Sequence, residues 1–221
     1  MLESEEYLRQ RAEMIEQQLR RRGISDAAVL AAMMAVPRHE FVPVELRSRA
    51  YEDGPLPIGE GQTISQPFIV AAMTAALRLQ PGDRVLEIGT GCGYQAAILS
   101  RLVAEVFTVE RRAELASAAS ERLARLGYGN VHVHCGDGTL GLPELAPFNA
   151  ILIAAAAPAV PQPLLAQLAE GGRMILPVGD AEHQELRRIE KQGLSFLKST
   201  LEGCRFVPLV GYHGWQEPPA R

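Results

Sequence analysis

Apolar residues in the first part of the chain recur at the three- and four-residue spacing of an amphipathic helix. The first run consists of Leu8, Ala12, Ile15 and Leu19. Gly23 follows this run and predicts the end of the helix, because glycine tolerates the left-handed backbone that often closes one. A second helix is predicted after Ser25 and Asp26, whose side chains can cap it, and it must stop before Pro37.

The next segment, residues 53–67, is rich in glycine and proline, and this composition predicts a loop. Pro67 suits the first turn of a following helix, where its missing N–H is not needed. The apolar positions of that third helix are Ile69, Val70, Met73 and Leu77. Residues 1–80 are therefore expected to form an N-terminal helical region that ends in this loop and the helix after it.

From residue 81 onward, short apolar runs alternate with helical patterns. Strands are predicted at 85–88, 105–109, 131–135, 150–153 and 173–177, and helices at 94–102, 113–126 and 164–168. Such alternation is typical of βαβ units that build a parallel sheet. The predicted fold class is therefore α/β, with a Rossmann-like, mostly parallel central sheet, helices on both faces and an N-terminal helical region.

The pattern after Gly179 is again strand-like, around residues 186–189, 194–197 and 205–210. Gln192-Gly193 predicts a hairpin turn between the first two of these strands. At this length we expect a single domain over residues 1–221. Its parts are the helical region and loop at 1–80, the core at 81–180, and the C-terminal strands and tail at 181–221.

Composition narrows the classes of protein that this pattern allows. Hydrophobic residues make up 47% of the chain and charged residues 22%, which is typical of a globular protein with a substantial core. The net charge of −4 argues against a basic nucleic-acid-binding domain, although a local patch could still bind RNA. The most apolar stretch, residues 150–160, is too short to span a bilayer and contains Pro158.

The cysteines and the N-terminal residues indicate the cellular compartment in which the protein is expected. The three cysteines, Cys92, Cys135 and Cys204, are widely spaced, which argues against a disulfide framework and against a zinc site. The acidic start of the chain lacks the apolar core of a secretion signal. We therefore expect a cytoplasmic protein that has no membrane contact.

The densest chemical signal is the run Glu87-Ile-Gly89-Thr-Gly91-Cys-Gly93-Tyr94, which follows a predicted strand and opens a predicted helix. In open α/β sheets this turn is a usual ligand site. The dinucleotide pattern G-x-G-x-x-G fails, because Tyr94 stands where its third glycine is required. A carboxylate at Glu87 would repel a pyrophosphate but suits a cationic ligand without phosphate, such as S-adenosylmethionine.

Two further acids follow the next two predicted strands. Glu110 ends the second strand, where a carboxylate can accept from both hydroxyls of a ribose. Asp137 follows the third strand in Gly136-Asp-Gly138, where it can accept from an adenine amino group while the backbone approaches the ring. Alone, each acid is an ordinary loop charge, but together with the glycine turn they predict a nucleoside cofactor. The predicted cofactor-binding residues are Glu87, Gly89, Gly91, Gly93, Glu110, Asp137 and Gly138.

Other catalytic arrangements are absent from the sequence pattern. We find no Ser-His-Asp set, no paired carboxylates and no metal-ligand spacing, so no metal site is predicted. His132 and His134 alternate along a predicted strand and share one face, which leaves a metal site as an alternative. Packing or surface exposure is the ordinary interpretation of such a pair, and we favour it.

Several segments resemble the protein-L-isoaspartate O-methyltransferase family. The run Val85-Leu-Glu-Ile-Gly-Thr-Gly-Cys-Gly-Tyr is similar to the first motif of that family, and class I methyltransferases in general share only its looser form. More specific is Leu56-Pro-Ile-Gly-Glu-Gly-Gln-Thr-Ile-Ser-Gln-Pro67, which resembles the segment that marks this family. Segments 36–42, 136–138, 171–179 and 205–210 match in the same order, so the resemblance covers residues 10–212.

The resemblance implies a class I S-adenosylmethionine-dependent methyltransferase that acts on the free carboxylate of L-isoaspartyl and some D-aspartyl residues in damaged proteins. The product ester collapses to a succinimide, whose hydrolysis returns part of the chain to normal aspartate, and S-adenosyl-L-homocysteine is released. The family's active-site serine falls on Ser65. We expect the substrate peptide to lie beside Thr63, Ile64, Gln66, Val207 and Leu209, with Arg205 at its edge. The expected partners are isoaspartyl-containing peptides and proteins, with no nucleic acid, and the chain is expected to be a monomer.

The chain departs from the family pattern at three positions near the expected cofactor pocket. Asn149 stands where relatives often carry aspartate, Ala154 where some carry threonine or glycine, and Cys92 where many carry serine or threonine. None of these changes removes a predicted polar contact. The tail after Tyr212 has no clear meaning in the family.

A carboxylate acceptor explains why no general base is found, because its pKa of about 4 leaves it ionised at neutral pH. The protein has only to align it with the methyl group and exclude water. Ser65 is then a positioning group, and its structural alternative is the cap of the helix at Pro67. Two other functions stay open: methyl transfer to RNA or a small molecule, and a module that binds the cofactor without catalysis.

Overall fold

A computed structural model describes residues 4–216 of the chain. The helices are α1 (Glu5–Met14), α2 (Ala27–Ala35), α3 (Pro67–Ala76), α4 (Tyr94–Ser100), α5 (Ala113–Arg125) and α6 (Gln162–Ala166). The strands are β1 (Leu56–Gly59), β2 (Gln62–Ile64), β3 (Arg84–Ile88), β4 (Glu105–Glu110), β5 (Val131–Cys135), β6 (Phe148–Ile153), β7 (Leu168–Gly179), β8 (Gln184–Gln192) and β9 (Ser195–Cys204). The extreme acidic start and the end of the tail, residues 1–3 and 217–221, lie outside the described residues.

The two N-terminal helices form where the sequence predicts them. Helix α1 continues through a π turn at Ile15–Leu19 and a 3-10 turn at Arg20–Arg22, and it closes at Gly23, whose φ is +95°. Asp26 caps α2, because its carboxylate accepts from the backbone N–H groups of Ala28 and Val29 at 3.0 Å each. Within residues 4–216, no helix has the length and apolar character needed to cross a membrane.

The prediction of a loop over residues 53–67 was wrong at residues 56–59 and 62–64, which form strands. Strands β1 and β2 pair antiparallel and form a small hairpin that is separate from the main sheet. Gly59, Glu60 and Gly61 turn the chain with φ values of +94°, +51° and +66°, so the glycines build the tip. Pro57 is tolerated because a two-stranded hairpin leaves one edge of each strand without a partner.

The main sheet has seven strands in the order β5-β4-β3-β6-β7-β8-β9. The pairs from β5 to β7 are parallel, and β8 and β9 add antiparallel at one end. The predicted hairpin between the last two strands is confirmed, with Gly193 in its turn at a φ of +61°. The α/β fold class with a mostly parallel sheet is therefore confirmed.

The chain near Gly171 and the segment after Cys204 differ from the prediction. The fifth core strand was predicted at 173–177, yet β7 begins at Leu168 and includes Gly171 and Gly172, and its pairing with β6 is irregular between Phe148 and Ala150. Helix α6 accordingly ends earlier than predicted, at Ala166. Residues 205–210 do not form a strand of the sheet, and instead make isolated bridges such as Ala156 with Pro208.

The sheet is buried on both faces at its centre. On one face, Leu86, Ile151 and Met174 pack with residues around α6. On the other face, Val85 and Leu152 pack against α3 and α4. Because the strands are parallel, the carboxyl ends of β3, β4, β5 and β6 lie along one edge of the sheet, and the segments that follow them meet there.

Candidate active site

A cavity of about 540 Å³ opens at this edge of the sheet. Its walls come from segments 62–65, 88–92, 109–112 and 206–210, together with residues of α3. The volume lies within the range of small-molecule sites. The hairpin that precedes α3, the turn after β3 and the segment after β9 therefore share one cavity.

The glycine turn after β3 needs its glycines for the shape of the backbone. Gly89, Gly91 and Gly93 have φ values of +94°, +53° and +89°, which side chains larger than glycine rarely adopt. Gly89 and Gly91 line the cavity, whereas Gly93 begins α4 and packs against Leu123. The two glycines at the start of the turn thus present backbone directly to the cavity.

Glu110 holds this turn from the end of the neighbouring strand. One carboxylate oxygen accepts from the backbone N–H of Gly91 at 2.9 Å, and the other accepts from that of Arg112 at 3.0 Å. Glu110 lines the cavity although it is largely buried. Each oxygen accepts only one of these bonds, so lone pairs remain that suit a pair of ribose hydroxyls.

Glu87 lies under the turn and is not one of the residues that line the cavity. Its side chain is fully buried, and one oxygen accepts from the Thr108 hydroxyl. The other oxygen, Oε1, has no hydrogen-bond partner within residues 4–216. Burial raises the pKa of Glu87 to about 8. An orphaned carboxylate oxygen beside the turn fits a cationic ligand, which would favour the ionised form.

Asp137 and Gly138 are adjacent in the sequence but differ in their position relative to the cavity. Gly138 lines the cavity, and a Cβ added to it would lie 2.5 Å from Ile88, so only glycine fits there. Asp137 is not among the lining residues. Its Oδ1 accepts from the N–H and hydroxyl of Thr139 at 2.9 and 2.7 Å, and its Oδ2 accepts from the N–H of Tyr212 at 2.8 Å.

The bonds to Asp137 give it a role that the sequence did not suggest. Burial would raise the pKa of Asp137, but the bonds from Tyr212 and Thr139 outweigh it and hold that pKa below its usual range. The carboxylate ties the chain after residue 210 to the cavity edge. The prediction that Asp137 accepts from adenine stays a prediction, and only Oδ2 keeps a lone pair for it.

Ser65 lines the cavity together with Thr63 and Ile64. The residue at the N-cap of α3 is Gln66, and no side chain makes a cap hydrogen bond there, so the alternative that Ser65 caps this helix is wrong. The Ser65 carbonyl accepts from Arg38 at 2.8 Å. Ser65 therefore lies between the hairpin and α3, and Arg38, which does not line the cavity, holds its backbone carbonyl.

A second cavity of about 460 Å³ adjoins the first and shares Thr63, Ser65 and Val207 with it. Gln66 lines only this second cavity, and its amide donates to Asp53 at 2.7 Å. Arg205 is exposed at its edge. The predicted substrate residues are thus divided between two connected cavities that meet at Ser65.

The segment that carries Val207 and Leu209 docks on the loop after β6. Ala156 donates to the Val207 carbonyl and accepts from the Leu209 N–H, both at 2.8 Å. Val207 and Leu209 consequently line the first cavity, although neither lies in a strand of the sheet. The structure therefore brings both residues to the cavity, although the strand predicted at 205–210 does not form.

Several lining residues were missed from sequence. Ile69 and Met73 lie on one face of α3, four residues apart, and that helical spacing could have found them. Arg111 and Val210 directly follow predicted site residues, but only the tertiary structure turns them toward the cavity.

The structure shows ring contacts for both histidines of the pair. His132 stacks on Phe107 with ring centroids 5.0 Å apart, and its Nε2 lies 3.6 Å from the Glu105 carboxylate. Among residues 4–216, no group of three His, Cys, Asp or Glu side chains is arranged to hold a metal ion.

The sequence matches the model of a known enzyme family over most of its length. The model described as protein-L-isoaspartate(D-aspartate) O-methyltransferase matches residues 9–214. The chain belongs to this family. It is 58% identical over 97% of its length to protein-L-isoaspartate O-methyltransferase 2 of Pelobacter propionicus, of which it covers 95%. It is 54% identical over 97% of its length to the protein-L-isoaspartate O-methyltransferase of Methanoculleus marisnigri, of which it covers 98%.

Solved structures agree with this assignment. A protein-L-isoaspartate O-methyltransferase superposes with a TM-score of 0.83 and 32% identity, over 92% of this chain and 67% of that one. A Plasmodium falciparum protein, described as such an enzyme in complex with S-adenosyl-L-homocysteine, superposes with a TM-score of 0.80 and 28% identity, over 90% of this chain and 98% of that one. The family resemblance and the methyltransferase fold predicted from the sequence are confirmed. Membership makes this chain an S-adenosylmethionine-dependent protein carboxyl methyltransferase of the isoaspartate-repair type.

Proposed function

We propose that the cavity at Ser65 carries out methyl transfer from S-adenosylmethionine to the free carboxylate of L-isoaspartyl, and some D-aspartyl, residues. The observation that carries this proposal is that the glycine turn with Glu110 and the Ser65 segment line the same cavity. S-adenosylmethionine supplies the electrophilic methyl group on its sulfonium. Glu110 lines the cavity and the buried Glu87 lies under the glycine turn, so this side of the site suits a cationic, phosphate-free compound better than a pyrophosphate.

The residues of this chain then have to bind the acceptor, orient its carboxylate toward the methyl group and keep water away from the reacting centre. The acceptor carboxylate is ionised at neutral pH because its pKa is about 4, so no base is required. In agreement, no histidine or lysine is among the described residues that line the cavity. The Ser65 hydroxyl donates to the acceptor carboxylate and aligns it. Apolar walls formed by Ile69, Met73 and Leu209 exclude water from the reacting centre.

The second cavity provides room for the peptide on either side of the acceptor residue. It shares Thr63, Ser65 and Val207 with the first cavity, so a peptide lying in it can extend its side-chain carboxylate toward Ser65. Gln66 and Arg205 supply polar groups along this groove. A protein acceptor also agrees better than RNA with the net charge of −4.

The test is transfer of labelled methyl from S-adenosylmethionine to a peptide that contains L-isoaspartate, with the aspartyl twin of the same sequence as control. Base-labile label on the isoaspartyl peptide alone is expected, because the product is a carboxyl ester. Label on neither peptide, with cofactor binding shown by calorimetry, would contradict the proposed acceptor. Base-stable label would contradict the proposed ester.

We propose further that the enzyme acts as a monomer. A single chain brings the glycine turn, Glu110 and the Ser65 segment into one cavity. Sedimentation at assay concentration should give the mass of one chain. A stable dimer with unchanged specific activity on dilution would contradict this.

A further inference from the structure

Arg38 is the bulkiest fully buried side chain of the described residues. It lies in the 3-10 turn Arg38–Phe41, between α2 and the hairpin. It does not line either cavity but stands behind the wall that Ser65 and Tyr94 form. Burying a guanidinium costs free energy unless other groups compensate for its lost hydration.

Three contacts of Arg38 join three parts of the site. Its Nε donates to the Ala50 carbonyl at 2.7 Å, and its Nη2 donates to the Ser65 carbonyl at 2.8 Å. The guanidinium carbon lies 4.9 Å from the centroid of the Tyr94 ring. Tyr94 is the first residue of α4, directly after the glycine turn. Arg38 therefore connects the N-terminal region, the Ser65 segment and the cofactor turn.

These contacts leave the charge of Arg38 only partly compensated. Its hydrogen-bond acceptors are neutral carbonyls, and Nη1 has no hydrogen-bond partner in the described part of the chain. Burial lowers the pKa of Arg38, and the nearby Tyr94 and Cys92 side chains oppose that shift. A neutral side chain of similar size would fill this space without the cost of a buried cation. The charge is therefore explained better by an anion on the other side of the Ser65 wall.

We propose that Arg38 is a positioning residue for the acceptor carboxylate: its bond to the Ser65 carbonyl fixes the Ser65 segment, and its buried charge stabilises the anionic carboxylate there. This inference rests on the proposed function of the Ser65 cavity. The carboxylate loses its charge as the ester forms, so the field of Arg38 favours the bound substrate more than the transition state. The bond to Ser65, in contrast, acts on geometry and therefore on turnover.

The two contributions can be separated by two variants. Arg38→Gln removes the charge, so the KM for the isoaspartyl peptide should rise about tenfold or more, and kcat should also fall. Arg38→Lys keeps the charge without the planar fork that reaches both carbonyls. In this variant KM should recover to within about threefold of wild type while kcat stays lowered. Cofactor affinity, measured by calorimetry, should change by less than about twofold in both, because Arg38 does not line the cavity.

Arg11 is a matched control in the same region. It is also buried, and it donates to the Tyr51 hydroxyl at 3.1 Å and to the Met34 carbonyl at 2.7 Å. Arg11→Gln should lower the melting temperature as Arg38→Gln does but leave the peptide KM near the wild-type value. All assays use saturating cofactor, which stabilises variants that are otherwise only partly folded.

Each outcome decides the proposal. Equal peptide KM and kcat in Arg38→Gln and Arg11→Gln would overturn it, since Arg38 would then be structural only. An equal loss of cofactor and peptide affinity would also overturn it. If Arg38→Gln does not fold, the Lys variant decides, because unchanged kcat there contradicts positioning through Ser65. A wild-type enzyme without isoaspartyl turnover would instead refute the proposed function.

Discussion

At the scale of single residues, the cofactor side of the site is organised by hydrogen bonds that the chain makes to itself. The Glu110 carboxylate accepts from Gly91 and Arg112, and thereby joins the turn after β3 to the turn after β4. The sequence indicated Glu110 as a ribose ligand from its place at a strand end. Its bonds to the backbone show a second duty, which is to hold the glycine turn in shape.

The first prediction concerns Glu110. Glu110→Ala removes both the backbone acceptor for Gly91 and the proposed ribose contact, so the cofactor Kd should rise at least about tenfold, or about 1.4 kcal/mol. Isothermal titration calorimetry with S-adenosyl-L-homocysteine measures this directly. Glu105→Ala, at the half-buried start of the same strand, is the control and should bind as wild type does. Unchanged binding in Glu110→Ala would remove this residue from the site.

The second prediction concerns Ser65. Ser65→Ala removes the hydroxyl that aligns the acceptor, and kcat should fall about tenfold or more while the cofactor Kd changes by less than about twofold. Steady-state methyl transfer to an isoaspartyl peptide gives kcat, and calorimetry gives Kd. A large loss of cofactor affinity would instead reassign Ser65 to cofactor binding.

At the scale of elements, the cavity is closed by two segments whose local structure the sequence pattern did not predict. The hairpin β1–β2 lies over the glycine turn, since a Cβ on Gly91 would come within 3.2 Å of Ile58. The chain after β9 forms the opposite wall, and its end is tied down by Trp215. The Trp215 indole N–H donates to the Ala156 carbonyl at 3.0 Å, and the Trp215 backbone N–H donates to the Leu209 carbonyl at 2.8 Å.

The third prediction tests this tie. Trp215→Ala should loosen the wall formed by Val207 and Leu209, and the KM for the isoaspartyl peptide should rise about threefold to tenfold. Trp215→Phe keeps the ring but loses the N–H, so an intermediate effect is expected in the same assay. Tyr212→Ala is the control because its side chain is 78% exposed and the Asp137 bond uses its backbone. If Trp215→Ala and Tyr212→Ala have the same KM, the tie has no role in substrate binding.

At the scale of the whole molecule, folding places an ionisable group where water cannot reach it. Glu87 of β3 is fully buried beside Thr108 of β4, and its pKa is raised from its ordinary value of 4.5 to about 8. Between these two values the folded protein binds a proton that the unfolded chain does not bind. The contribution of Glu87 to the free energy of unfolding therefore falls as pH rises through this window.

The fourth prediction follows from that sign. In the absence of cofactor, the melting temperature of the wild type should fall relative to that of Glu87→Gln as pH rises from about 5 to 8, because Gln does not titrate. Differential scanning calorimetry of the pair across this range measures the difference. Other groups, such as His39, titrate in both proteins and cancel in the comparison. Melting temperatures that stay parallel over the range would contradict a buried, protonated Glu87.

The sequence by itself determined the order of the elements and most of the cofactor motif. Apolar periodicity placed the strands and helices of the core, because the spacing that buries a strand or one face of a helix is local. The glycine turn and Glu110 follow strand ends, and the topology of a parallel sheet brings such ends together whatever the details. The family motifs then pointed to Ser65 and its neighbours.

Only the tertiary structure decided what holds those residues in place. The hairpin at 56–64 and the docked segment at 205–210 depend on contacts with distant parts of the chain, which leave no periodic signal. Asp137 acquires Tyr212 as a partner, and Arg38 acquires Ser65, across long separations in sequence. Burial and long-range hydrogen bonding set the charge state of Glu87 and the position of Ser65, and neither can be computed from local sequence because both depend on which segments pack together.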